Sequence, residues 1–175
     1  MQGRLNPKDL PKNKKKGILK MKINDLIFGE LEYDYVWSKD TTINFLGKET
    51  EIAFMVKGEE DGKFDEEQYT AYQSLMQNWE QLQQGFLQPI LDYYQQKRHE
   101  MGYDIEFNEN YPLVKTTDQL IEMFTLEGIV VSYGDIFEGR DIGILFRCTW
   151  DVENGLGLRL LDEKVTEVGY QDVAI

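Results

Sequence analysis

Few side chains in this sequence are of the types that commonly perform chemistry, and the surroundings of each argue against the chemistry it suggests. His99 is the only histidine and Cys148 the only cysteine. A Ser-His-Asp or Cys-His arrangement would have to use that one imidazole, which sits among Lys97, Arg98 and Glu100 near an expected helix end. A cation there suits the negative end of the helix dipole, so His99 reads as a surface residue. Cys148 falls in the alternation Ile142, Ile144, Phe146, Cys148, Trp150, on an apolar strand face. Burial on such a face disfavours the thiolate, so a free structural thiol is expected. Nucleophilic catalysis is not.

Carboxylates are the abundant alternative. Glu59-Glu60-Asp61-Gly62, followed by Asp65, Glu66 and Glu67, has the composition of a calcium loop. It lacks the spacing. With Gly62 at the sixth position, the loop ends fall on Lys57 and Gln68, where acids are needed. A carboxylate pair could also perform acid–base hydrolysis. With 32 acids in the chain, any fold brings some pairs together, so proximity alone identifies no dyad. Gly155-x-Gly157 is no phosphate cradle, because a strand follows it rather than a helix, with no Lys-Ser/Thr. The chain is therefore expected to be no enzyme and to hold neither a metal nor a cofactor.

The elements that would carry these residues are grouped rather than alternating. Leu31, Tyr33, Tyr35 and Trp37 predict one strand running from Phe28. Thr41 to Leu46 and Glu49 to Lys57 predict a hairpin across Gly47-Lys48, with glycine first in a type II′ turn. Asp65 with Gln68 is a capping-box pattern, and Phe64 with Tyr69 a hydrophobic staple, so a long helix starts there. Its apolar stripe is Tyr69, Tyr72, Leu75, Met76, Trp79, Leu82, Phe86 and Ile90, which reads as core packing. Pro89 removes a donor and crowds the carbonyl of Gly85, so a kink is expected, with helix resuming to Gly102 as its C′ residue.

Residues 103–115 read as a polar connection, and a second capping box at Thr116 and Gln119 starts a short helix through Phe124. Strands follow at Leu126 to Tyr133 and Ile142 to Trp150. Asn154-Gly155 signals a hairpin, Leu156, Leu158 and Leu160 alternate after it, and Asp162-Glu163 turns into a last strand, Lys164 to Tyr170. This order predicts an α+β fold: a mainly antiparallel sheet of about seven strands, three before and about four after the helices, packed against a long kinked helix. Residues 1–20 read as a basic flexible tail and 21–175 as a single domain.

Charge divides the chain at the same place. Eight of its 19 basic residues, Arg4 to Lys22, lie in the first 22 positions, leaving 11 basic and 31 acidic side chains in the remainder. So acidic a body repels nucleic acid and anionic lipid and attracts basic proteins. No apolar run approaches the ~20 residues of a membrane span, and the N-terminal basic run lacks the apolar stretch of a secretory signal. A lone cysteine excludes an intramolecular disulfide and suits a reducing compartment. A cytoplasmic protein is expected, without nucleic-acid or membrane partners. The acids most concentrated in sequence are Glu59, Glu60, Asp61, Glu66 and Glu67, with only Lys63 among them, and these are the expected partner-binding residues.

The two ends carry a resemblance. Phe28-Gly29-Glu30-Leu31, Ile43 to Gly47 and Glu51-Ile52 resemble the start of a family of small uncharacterised bacterial proteins with domain-of-unknown-function names. Cys148-Thr149-Trp150-Asp151, Glu153-Asn154-Gly155-Leu156-Gly157 and Val168-Gly169-Tyr170-Gln171-Asp172 resemble its ending. The resemblance covers about residues 21–175. It implies no catalytic residues. Related small acidic α+β families include immunity proteins that neutralise toxins of competing bacteria. The expected function is thus a non-enzymatic protein-binding domain, immunity-like, with an oligomeric scaffold domain or a carboxylate-based hydrolase as the alternatives.

Overall fold

The structure is a computed structural model that describes residues 20–104 and 108–175. The basic tail expected over residues 1–20 lies outside the described residues except for Lys20, as does part of the 103–115 connection. The fold is α+β, with one mixed sheet of eight strands and one long helix. The strands are β1 (Met21–Asp25), β2 (Gly29–Tyr33), β3 (Trp37–Phe45), β4 (Lys48–Val56), β5 (Phe124–Val131), β6 (Asp141–Cys148), β7 (Leu156–Leu161) and β8 (Lys164–Gly169). They lie side by side in chain order. Every neighbouring pair is antiparallel except β4 and β5, which run parallel because the long helix α1 (Glu66–Glu100) intervenes. A short helix α2 (Thr117–Leu120) and a 3₁₀ turn lead into β5, and a second 3₁₀ turn, Gln171–Ala174, ends the chain.

The start of α1 is as the sequence predicts. Asp65 accepts from the Gln68 N–H at 2.7 Å, and the Gln68 side chain accepts from the Asp65 N–H at 3.1 Å. Phe64 and Tyr69 meet edge-on, with ring centroids 6.2 Å apart. The helix runs through Pro89 without a break and ends before Gly102, whose φ is +77°. One face of the sheet and α1 share the main core, which includes Trp37, Phe54, Leu75, Trp79, Phe86, Ile129, Ile144 and Leu158.

The turns differ from expectation in three places. The strand expected from Phe28 to Trp37 is two strands, broken at Asp34–Val36, with Tyr35 almost fully exposed at φ 66°. Tyr33 and Trp37 pair across this turn, and a three-residue turn returns the chain to the same face, so alternation runs through it unbroken. The hairpin expected at Gly47-Lys48 turns one residue earlier. Phe45 pairs with Lys48, and Leu46 and Gly47 both have positive φ, 51° and 83°, as a type I′ turn requires. Asn154-Gly155 closes a longer loop instead of a two-residue turn, because Asp151 accepts from both the backbone and side-chain nitrogens of Asn154 and its carbonyl holds the Gly155 N–H. β1 is the strand beyond the expected seven. It is a five-residue edge strand that pairs with β2 across a short turn, and only Met21 and Ile23 alternate in it as apolar residues, too short a pattern to mark a strand.

Candidate functional site

Catalytic geometry is the first thing to look for. Cys148 is buried and donates weakly to the Asp151 carbonyl, and burial pushes its thiol up to about 11. His99 is exposed, with Nδ1 2.8 Å from Asp104. The two take part in separate local contacts. Among the described residues, no group of three or more His, Cys, Asp or Glu is arranged to hold a metal ion.

The five acids expected to bind a partner lie around the start of α1. The turn before the cap is anchored from inside: Trp37 Nε1 donates to the Glu59 carbonyl at 2.8 Å, and Asp61 accepts from the Lys63 N–H. Glu59, Glu60, Asp61, Glu66 and Glu67 are all exposed. Among the described residues none of them forms an ion pair. The Tyr133 hydroxyl donates to Glu59 at 3.2 Å, and the Glu67 side chain packs where Gly134 leaves room for it.

Beside Glu66 stands the β1–β2 turn. Asp25 accepts from the Ile27 and Phe28 N–H groups at 2.8 Å and from the Tyr69 hydroxyl at 2.6 Å. Burial raises the Asp25 carboxyl, but these three donors outweigh it and hold the group below its ordinary range. Burial and that same carboxylate push Tyr69 up to about 12. The lock presents Leu26 fully to solvent, with Ile27 partly exposed, beside a hollow of about 320 Å³ lined also by Glu66, Thr70 and Gln73. Sequence reasoning missed this apolar tip. Its only signal was Leu-Ile directly after Asn-Asp, a turn composition.

A second acidic surface is assembled by the sheet. On the face opposite α1, Asp40, Glu51 and Glu127 from three adjacent strands line a hollow of about 440 Å³, with Arg147 at its side. A neighbouring hollow of about 700 Å³ is lined by Glu30, Glu32, Asp34 and again Asp40, with Lys20. The polar half of the strand alternation implied such a face, but only the β4–β5 pairing brings Glu127 to it.

The model of a family described as a domain of unknown function, DUF6985, matches residues 27–175. The chain belongs to this family. No curated protein and no solved structure matches it. The DUF6985 stretch opens in the β1–β2 turn, so all eight residues of the N-terminal basic run fall before it. The short runs that carried the sequence resemblance all fall within the DUF6985 stretch, and some of their residues, with neighbours in the fold, serve as joints. Phe28 is fully buried, and its carbonyl accepts from Lys39. Gln171 donates to Glu127 and to the Phe146 carbonyl, and its N–H donates to Asn154. The Ala174 backbone lies so close to Gly143 that a Cβ there would come within 1.8 Å of its carbonyl oxygen. Among the described residues, no helix of this DUF6985 protein is long and apolar enough to cross a membrane.

Proposed function

We propose that this protein is a non-enzymatic binding domain that captures a basic protein through the acidic end around the start of α1. The observation that carries the reading is that Glu59, Glu60, Asp61, Glu66 and Glu67 are exposed together without an ion pair among the described residues. Glu66 and Glu67 have a local reason to be acidic, since they lie in the first turn of a helix. Glu59, Glu60 and Asp61 precede the cap and have no such reason. Leu26 and Ile27 add an apolar anchor beside the charge, the combination typical of an interface centre with a polar rim.

The family resemblance supports an immunity protein, acting in the bacterial cytoplasm against a cationic toxin, as the kind of binder. The test is association kinetics with a basic protein recovered by pull-down from the source cell. Screening shortens the reach of charge to about 8 Å at physiological ionic strength, so the association rate should fall as salt rises. Glu60→Lys with Asp61→Lys should slow association and leave the fold intact, while Leu26→Ala should speed dissociation. Recovery of no basic protein, or an association rate indifferent to salt and to the reversal, leaves the scaffold reading ahead.

A further inference from the structure

The sheet has two unequal halves on the face away from α1. Over β6 and β7 it is covered: the C-terminal turn lies against Gly143 and Gly157, and Phe137 stacks on the Arg159 guanidinium at 4.3 Å. From β1 as far as Glu127 of β5 this face carries two hollows that adjoin at Asp40 and together make an acidic trough. Farther along β5 it is covered, with Val130 buried against Leu145 and Ala174 and Met55 packed beside them. Strand alternation supplies the acids. Glu32 pairs with Ser38, Asp40 with Ala53 and Thr42 with Glu51, all on the face opposite Leu31, Phe54 and Ile52.

The described end of the chain's basic run lies on this trough. Lys20 and Lys22, its last two members, already lie on it, with Lys22 2.8 Å from Glu32 and Lys20 3.7 Å from Asp34. The remaining six, Arg4 to Lys16, precede them in sequence. Reach agrees with charge. Crossing from β1 to β5 takes four strand spacings, about 19 Å. An extended chain covers about 3.4 Å per residue. The residues four to six positions before Lys20 are Lys16, Lys15 and Lys14.

We propose that the acidic trough running from β1 to Glu127 of β5 is the docking site of this chain's own N-terminal basic segment, residues 1–19, with Lys14, Lys15 and Lys16 over the hollow lined by Asp40, Glu51 and Glu127. The occupant is intramolecular and does not compete for the acids around the start of α1. The positive charge of the N-terminus is thereby neutralised on the back of the sheet, and the partner surface keeps its own. A failed search for a basic partner leaves this proposal standing, because its ligand is part of the chain.

The test is zero-length cross-linking of the full chain with a water-soluble carbodiimide, which joins a lysine to a carboxylate only in contact, on a mixture of unlabelled and ¹⁵N-labelled protein. The Lys22–Glu32 pair serves as the internal control. The expected result is amide links from Lys14, Lys15 or Lys16 to Asp40, Glu51 or Glu127, within single chains. Their yield should fall at least about fivefold in 1 M salt, where the screening length is about 3 Å. Arg147→Gln, which removes the one cation lining that hollow among the described residues, should raise the yield. Links from these lysines to Glu59–Glu67, links spread evenly over the surface, links only between labelled and unlabelled chains, or a yield indifferent to salt would each overturn the proposal.

Discussion

Asp141 and Arg159 meet with little access to water, Nη1 3.0 Å from Oδ2, while the other Asp141 oxygen has no hydrogen-bond partner. Arg159 also donates through Nε and Nη2 to the Val173 carbonyl, which ties the C-terminal turn to the sheet. Burial raises the Asp141 carboxyl above its ordinary value, against the opposing pull of Arg159 and Lys57. A carboxyl raised by folding contributes most below the ordinary carboxylate range and loses that contribution as pH climbs through its folded value. Arg159→Met should therefore cost about 3–5 kcal/mol at neutral pH, since it leaves a buried carboxylate unpaired. The cost should shrink as the medium is acidified and Asp141 takes up a proton. Urea unfolding at pH 7 and pH 4.5 measures both, and an equal cost at the two values would rule out Asp141 as the group left uncompensated. Cys148 gives a second reading at this scale. Held up to about 11 by burial, it should react with a disulfide reagent at pH 8 more than about tenfold slower than free cysteine, whose pKa is near 8.5. A rate equal to that of free cysteine would mean that the end of β6 opens in solution.

The β3–β4 hairpin and α1 are joined by polar side chains inside an apolar interface. Trp79 Nε1 donates to the Asn44 carbonyl at 2.7 Å, and the buried Gln83 accepts from the Leu46 N–H at 2.7 Å and donates to the same carbonyl. Trp79→Ala should destabilise by about 3–5 kcal/mol in thermal or urea unfolding, and a change below about 1 kcal/mol would place the stripe outside the core. Gln83→Ala removes no comparable apolar area, yet it should cost about 1–3 kcal/mol by stranding a turn N–H. These bonds explain why the hairpin escaped sequence reasoning by one residue. A glycine at Gly47 announced a turn, but the helix, far away in sequence, decides that Leu46 occupies the left-handed position. Where the deciding contacts are local, as in the Asp65–Gln68 box, the sequence was sufficient. Asp162-Glu163 lies between these cases. Its two acids form a readable turn, while Arg140, which holds Glu163 through two nitrogens at 2.7 and 2.6 Å, stands 23 residues earlier, and no local pattern pairs the two.

Across the whole molecule, the charge division was plain in the sequence, but its geometry was not. The acids around α1 are contiguous in the chain and could be named. Asp40, Glu51 and Glu127 come from three strands and meet only because β4 pairs with β5. Exposed ion pairs contribute little, about 0.3 kcal/mol each, so three of them amount to about 1 kcal/mol, and deleting residues 1–19 should lower the melting temperature by no more than about 4 °C. A larger drop would show that the basic segment contributes to the fold as well as to the charge of its surface. The chain-ordered sheet also has a consequence in time. Six of the seven junctions between neighbouring strands are made by contacts close in sequence, and the seventh, Ala53 to Gly128 and its neighbours, closes across the entire helical region. Local pairings form early because little loop entropy opposes them, so two meanders should assemble quickly and then wait for that junction. Gly128 is its tightest point, since a Cβ there would lie 3.0 Å from the Ala53 carbonyl. Gly128→Ala should slow refolding more than a comparable change in the β7–β8 turn, and the rate-limiting event of this protein's folding would be the meeting of two halves that have each already formed.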